Sequence, residues 1–156
     1  MEKNKLFLID AMAMIYRAFY AMNKSPRINS KGLDTSAAFG FFNTLLSLLK
    51  QYKPTHIGIA FDLHGPTFRH KEFADYKSNR QATPDEIRQM EPYIRKIIAA
   101  MHIPMISSEG YEADDVIGTL SKQAAKQGFE VFMVTPDKDY AQLVEENIKT
   151  LKLGRM

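Results

Sequence analysis

Short apolar segments alternate with segments of helical character along this 156-residue chain, and no other feature limits the possible folds as strongly. Strands and helices that alternate in this way form a layered α/β fold, with a mainly parallel sheet flanked by helices. No repeat, low-complexity tract or linker divides the chain, so one domain is expected. The predicted strands are 5–9, 56–61, 103–107, 130–135 and 148–152, and the predicted helices are 11–22, 35–53, 84–101, 111–128 and 140–145.

The ends of two predicted helices carry recognisable boundary residues. Thr83 is predicted to cap the helix that follows it, with Pro84 at the first helical position. Glu86 stands three residues after Thr83, which is the spacing of a capping box. Gly128 is predicted to end the helix over 111–128, because glycine commonly occupies the left-handed position just after a helix.

Acidic residues follow three of the predicted strands. Asp10, Asp62 and Asp137 each come at or just after the carboxyl end of an apolar run, where open α/β sheets bind their ligands. Four further acids complete the set, namely Glu112, Asp114, Asp115 and Asp139. Any one of them alone is explained as a turn or cap residue, and Asp114 and Asp115 would also complement a helix dipole. Seven carboxylates in one crevice would repel each other unless a hard, oxygen-binding cation held them, so the sequence predicts a metal site.

Composition narrows the kind of protein further. The chain has no cysteine, which excludes disulfides, thiolate zinc sites and cysteine nucleophiles. Lys and Arg number 21, and without the seven clustered acids only eleven acids remain to balance them. A basic body with one acidic region suits a polyanionic substrate, although lysine-rich surfaces are also common in other proteins. No apolar run is long enough to span a bilayer, so we expect no membrane association and a cytoplasmic location.

The segment 67–80 interleaves basic and aromatic side chains. Basic groups contact phosphates and aromatic faces stack on unpaired bases, so the segment is typical of a nucleic-acid contact surface. The alternative is an amphipathic helix whose charges face solvent. Tyr16 and Arg17, on the predicted helix after Asp10, could reach the same crevice, although core packing would also explain Tyr16. The residues of the segment that carry this interpretation are Arg69, Lys71, Lys77 and Arg80 with Phe68, Phe73 and Tyr76.

These motifs, in this order, resemble those of a known family across essentially the whole chain. The matching motifs are LID ending at Asp10, AFD ending at Asp62, FRHKEFADYKSNR at 68–80, GYEADD at 110–115 and TPDKD at 135–139. They are similar to the 5′-3′ exonuclease domain at the N-terminus of bacterial DNA polymerase I, a flap-endonuclease-like domain with a PIN-like fold.

The resemblance implies a metal-dependent hydrolase that cuts DNA phosphodiesters at a 5′ end or at the base of a 5′ flap, with two ions, Mg²⁺ or Mn²⁺. The residues that match the ligands of the first ion are Asp10, Asp62, Glu112 and Asp114, those of the second ion are Asp137 and Asp139, and Asp115 matches a further acid of the bacterial motif. By the same resemblance Lys77 and Arg80 position the scissile phosphate, with Arg69 and Tyr76 beside them.

The implied partners are DNA with 5′ flaps, nicks or ends, including RNA–DNA primers, in replication and repair, and a polymerase domain in the same parent chain. The family pattern continues with further acids and a DNA-binding helix–hairpin–helix, which do not occur before Met156. Residues 1–156 are therefore expected to be the N-terminal portion of a 5′-nuclease domain, truncated at its C-terminus. Two alternatives stay open, a PIN-type ribonuclease and a non-catalytic fragment that binds metal and DNA.

Overall fold

A five-stranded parallel sheet lies at the centre of the structure, a computed structural model that describes residues 3–63 and 83–152. The described strands are β1 (Lys5–Asp10), β2 (His56–Ala60), β3 (Met105–Ile106), β4 (Glu130–Val134) and β5 (Ile148–Leu151). The described helices are α1 (Ala11–Ala21), α2 (Ser36–Tyr52), α3 (Asp85–Ala100), α4 (Ala113–Lys126) and a 3-10 helix (Lys138–Leu143). The α/β fold with a parallel sheet flanked by helices is as the sequence predicted.

The strands lie in the order β3-β2-β1-β4-β5, and all neighbouring pairs are parallel. Asp10 of β1 is opposite Ala60 of β2, and Ile9 is opposite Val134 of β4. The chain moves outward from β1 through β2 to β3, then crosses back to start again at β4. This reversal creates a switch point between β1 and β4, and the crevice beyond their carboxyl ends is where such sheets bind ligands.

Helices cover both faces of the sheet, so the central strands are apolar on both sides. Helices α1, α2 and α3 share one core with Phe7 and Ile9 of β1, while α4 shares a second core with Leu8. Side chains alternate between faces along a strand, so Asp10 belongs to the same face as Leu8. The acid at the end of β1 is therefore directed to the side of the sheet that α4 covers.

The predicted cap of α3 is wrong. Pro84 occupies the N-cap position with extended backbone, α3 begins at Asp85, and no side chain caps it. Thr83 instead accepts a hydrogen bond from the Tyr16 hydroxyl at 3.0 Å. The Thr83 hydroxyl is engaged by Tyr16 and caps no N–H of the helix, and Pro84 has an extended backbone with a ψ of 142°, so the helix starts one residue later than predicted. Glu86 lies in the first turn, where its negative charge interacts favourably with the helix dipole, and it does not complete a capping box.

The other boundaries differ by a few residues. Gly128 ends α4 as predicted, with a φ of +89°, and the Phe129 N–H bonds back to the Ala124 carbonyl. His102 takes the equivalent left-handed position after α3, with a φ of +59°. Strand β3 was predicted over 103–107 but pairs only at Met105–Ile106. Pro104, which lacks an N–H, contributes only its carbonyl to β2, so the ladder is shorter than the apolar run.

Candidate metal centre

Asp10 stands where β1 runs directly into α1, and protein groups donate hydrogen bonds to both of its carboxylate oxygens. It is the last residue of the strand and also the N-cap of the helix, where its Oδ1 accepts from the Ala13 N–H at 3.3 Å. Its Oδ2 accepts from the Tyr140 hydroxyl at 3.0 Å. The side chain is only 8% exposed. The strand-end acid predicted from the sequence is therefore a buried and oriented carboxylate.

The electrostatic environment of Asp10 disfavours its charged form. The pKa of Asp10 is raised from 3.8 to about 6, chiefly by burial and to a smaller extent by the charges of Asp62 and Asp114. The hydrogen bonds from Ala13 and Tyr140 act in the opposite direction and lower this pKa, without overcoming burial. Three of the acids predicted to act together are therefore close enough to interact electrostatically.

Asp62 joins the end of β2 to the beginning of α4. Its Oδ1 accepts a hydrogen bond of 2.7 Å from the N–H of Ala113, the first residue of that helix. The free N–H groups of a first helical turn and the helix dipole both favour a carboxylate there. This bond holds the start of α4 against the sheet beside the ends of β1 and β2.

Glu112, Asp114 and Asp115 bring carboxylate oxygens close together at the start of α4. One carboxylate oxygen from each lies within 4.8 Å of the other two. Oxygens on opposite sides of one Mg²⁺ or Ca²⁺ ion, with bonds of about 2.0–2.5 Å, are about 4–5 Å apart. Asp115 also accepts a hydrogen bond from the Glu112 N–H at 3.1 Å, so it stabilises the helix start as well.

Asp137 and Asp139 lie on the segment that follows β4. The Asp137 N–H donates to the buried Thr135 hydroxyl at 3.1 Å, and Asp137 Oδ1 accepts from the Asp139 N–H at 2.9 Å. These bonds start the 3-10 helix at Lys138, two residues before the short helix predicted over 140–145. Asp139 lines a cavity of about 350 Å³ together with Asp114 and Asp115, so the structure brings acids of both predicted ion sets to one cavity.

Tyr140 lines the same cavity, and sequence reasoning did not identify it. Its side chain is 1% exposed, and its hydroxyl reaches Asp10 across 130 positions of sequence. Burial, followed by the charge of Asp10, raises the pKa of Tyr140, so this residue stays a hydrogen-bond donor at physiological pH. The one sequence signal was an aromatic residue directly after the exposed Asp139, and its burial depends on the strand order.

The predicted DNA contacts fall partly within the described residues. Tyr16 packs against the core on the α1 side and donates its hydroxyl to Thr83, and Arg17 is half-buried on the same helix. Both remain predicted DNA contacts. The other four, Arg69, Tyr76, Lys77 and Arg80, lie outside the described residues.

The donor set fits a hard divalent cation. All candidate ligands are carboxylates, which Mg²⁺, Mn²⁺ and Ca²⁺ prefer over the softer nitrogen and sulfur ligands. Asp10 is buried at a site where two other acids raise its pKa, and a cation bound there would offset both the burial and the repulsion.

Among residues 3–63 and 83–152, no helix is long and apolar enough to cross a membrane.

Comparison with known proteins identifies relatives over most of the chain. Residues 5–156 match the family described as the 5′-3′ exonuclease N-terminal resolvase-like domain. The chain is 45% identical over 146 residues to a DNA polymerase I of Bacillus subtilis, a match that covers 93% of this chain and 16% of that protein. A DNA polymerase I of Lactococcus lactis is 45% identical over 152 residues, which are 95% of this chain and 17% of that protein. The chain thus spans about a sixth of the length of these relatives.

Solved structures share the fold at low sequence identity. The T5 5′-exonuclease with bound divalent zinc ions matches with a TM-score of 0.72 and 20% identity, over 96% of this chain and 55% of that one. The catalytic core of Rad2 in complex with a DNA substrate matches with a TM-score of 0.54 and 22% identity, over 96% of this chain and 44% of that one. The structural likeness and the match over residues 5–156 agree, and this chain belongs to the family of 5′-3′ exonuclease N-terminal resolvase-like domains.

Proposed function

We propose that this chain forms the metal-binding portion of a divalent-metal-dependent 5′-nuclease that hydrolyses DNA phosphodiesters. The observation that carries the proposal is the convergence of acids from the ends of β1 and β2 and from the start of α4 at one edge of the sheet. The family and its DNA polymerase I members support the reaction class. We further propose that the parent chain continues into a polymerase domain and acts in the cytoplasm, in replication and repair.

The residues divide into two proposed ligand groups. Mg²⁺ or Mn²⁺ would bind in both, and when bound would supply a Lewis acid to polarise a phosphoryl oxygen and lower the pKa of water. Protein groups orient two of the ligands beforehand, because Ala13 and Tyr140 donate to Asp10 while Ala113 donates to Asp62. The first group is Asp10, Asp62, Glu112 and Asp114, and the second is Asp137 and Asp139. Asp115 is a further proposed metal residue, and it also accepts a hydrogen bond from the Glu112 N–H.

The proposed substrate is DNA with a 5′ flap, nick or end, including RNA–DNA primers. The 21 basic residues outnumber the eleven acids outside the site, and this excess of positive charge favours a polyanion. Lys77 and Arg80, with Arg69 and Tyr76, are proposed to contact phosphates near the scissile bond. Replacing both Lys77 and Arg80 with alanine should reduce the slope of log affinity against log salt by about 1–2, since each lost phosphate contact removes roughly one counterion from the release. A slope unchanged from the wild type would assign both side chains to the solvated surface.

Cleavage of a 5′-labelled DNA flap by the 156-residue chain tests the proposed reaction. We expect cutting near the junction with Mn²⁺, none with chelator, and none in the variant Asp62→Asn. Glu130→Gln is the matched control, because Glu130 begins β4 at the amino ends of the strands, away from the acids, and the substitution removes the same single negative charge. Cutting of single-stranded RNA but not of the flap would favour a PIN-type ribonuclease. Mn²⁺ and DNA binding without any cutting would favour a non-catalytic fragment.

A further inference from the structure

A single buried hydroxyl connects two of the segments that carry the acids. Tyr140 lies in the 3-10 helix of residues 138–143, directly after Asp139, and its hydroxyl donates to Asp10 Oδ2 at the end of β1. The distance is 3.0 Å, which is ordinary for a hydrogen bond, and the donor is almost completely buried. This hydrogen bond therefore ties the segment after β4 to the end of β1.

The contact fixes the orientation of Asp10. The backbone N–H of Ala13 holds Oδ1 and the Tyr140 hydroxyl holds Oδ2, so the carboxylate is restrained at both oxygens. A carboxylate offers about four lone pairs, and two donors leave acceptor capacity for a cation. Outer hydrogen bonds of this kind hold metal ligands in place, and their removal typically weakens metal affinity about 10- to 100-fold.

The contact also bears on the second acidic group. Asp137 caps the 3-10 helix and Asp139 is its second residue, so both move with the helix that Tyr140 anchors. Tyr140 and Asp139 line one cavity with Asp114. Anchoring the helix to Asp10 therefore sets the spacing between the two groups of acids.

We propose that Tyr140 is a positioning residue of the metal centre, whose hydroxyl orients Asp10 and anchors the segment that bears Asp137 and Asp139. This inference rests on the proposed metal centre. A purely structural role would need only the aromatic ring, which packs in the core beneath α4 with Leu8 and Met133. Tyr140→Phe keeps the ring and removes the hydroxyl, so it separates the two roles.

The test is titration of the 156-residue chain with Mn²⁺ by calorimetry. We expect Tyr140→Phe to raise the Mn²⁺ dissociation constant about tenfold or more. Tyr52→Phe is the matched control, since Tyr52 ends α2 at the other end of the sheet and packs against Phe7. The Mn²⁺ dissociation constant of this variant should equal that of the wild type. An unchanged constant in Tyr140→Phe would overturn the proposal and leave the metal centre standing.

A second arm shows whether Tyr140 acts through Asp10. The double variant of Tyr140→Phe and Asp10→Asn should lose less Mn²⁺ affinity than the two single losses combined, because one role of the Tyr140 hydroxyl is to orient the Asp10 carboxylate, which is already lost. Fully additive losses would contradict positioning through Asp10. If Asp62→Asn binds Mn²⁺ as tightly as the wild type, the proposed metal centre fails, and the inference about Tyr140 fails with it.

A measurement on the wild type keeps the proposal testable should Tyr140→Phe fail to fold. The hydroxyl proton of a buried, hydrogen-bonded tyrosine exchanges slowly with water and gives its own NMR signal. We expect this signal in the metal-free chain and a change of its chemical shift on addition of diamagnetic Mg²⁺. A signal that Mg²⁺ leaves in place, while the backbone signals of Asp62 and Asp114 move, would overturn the proposal.

Discussion

Replacing Asp10 with asparagine should stabilise the metal-free chain at neutral pH. Burial holds the pKa of Asp10 at about 6 in the folded state against 3.8 in the unfolded state. Between these values the folded state binds more protons than the unfolded state, so the free energy of unfolding falls as the pH rises through this window and is level above it. Asparagine does not titrate, so the variant escapes this loss.

The size of the effect follows from the shift in pKa. The rise in the pKa of Asp10 from 3.8 to about 6 lowers the free energy of unfolding of the wild type by about 0.5 kcal/mol at pH 4 and by about 3 kcal/mol at pH 7. Asparagine can accept only one of the two hydrogen bonds that Ala13 and Tyr140 donate, and losing the other costs about 1 kcal/mol. We therefore expect Asp10→Asn to be about 2 kcal/mol more stable than the wild type at pH 7 and no more stable at pH 4.

Urea unfolding with chelator at pH 4, 5 and 7, followed by circular dichroism, measures the difference. A second series is measured at pH 7 with Mn²⁺ at 100 times the wild-type dissociation constant. The ion should raise the free energy of unfolding of the wild type, but not of the variant, by about 2.7 kcal/mol and so remove the advantage of the variant. A difference between variant and wild type that does not change from pH 4 to pH 7 would refute the argument from burial. An advantage that persists in Mn²⁺ would remove Asp10 from the ligands.

Three further outcomes can be measured on the same chain. Asp62→Asn should weaken Mn²⁺ binding, measured by calorimetry, and leave thermal stability nearly unchanged. Asp62→Ala should weaken Mn²⁺ binding and also lower the free energy of unfolding in urea by about 1 kcal/mol, because it removes the acceptor at the start of α4. His102→Gly should stabilise by about 1 kcal/mol and Gly128→Ala should destabilise by a similar amount, because both positions require a left-handed backbone, and equal effects of the same sign would contradict this reason. Tyr16→Phe should cost about 1 kcal/mol of stability through the lost bond to Thr83, and unchanged DNA affinity in that variant would exclude its hydroxyl from DNA contact.

The positions of the strand-end acids were predictable because they depend on local pattern alone. An apolar run that ends in an acid identifies the carboxyl edge of a parallel strand, as at Asp10 and Asp62, and the structure places both at one edge of the sheet. The hydrogen bond from the Glu112 N–H to Asp115 also had a local signal, because the two residues are three positions apart in the sequence, as in a capping box. It was not predicted, because a capping box is usually recognised by serine or threonine at its first position.

Features that depend on strand order could not be predicted from the pattern. Nothing local indicates that β4 pairs with β1 rather than with β3, so the approach of Tyr140 to Asp10 could not be predicted from its place after Asp139. The misplaced cap at Thr83 has a similar cause. Its hydroxyl is engaged by Tyr16, which lies 67 positions away, and a boundary rule read from neighbouring residues contains no such contact.

The central place of β1 also has a consequence for how the chain folds as it is made. Lys5 and Glu130 are paired, so β1 leaves the ribosome 125 residues before its partner β4. At about 5–20 residues per second, β1 waits roughly 6–25 s with one edge open. During that time only β2 and then β3 can join the sheet. The crevice between β1 and β4 therefore closes late in synthesis, and a pause between β3 and β4 would prolong the period in which an apolar edge is open to misassembly.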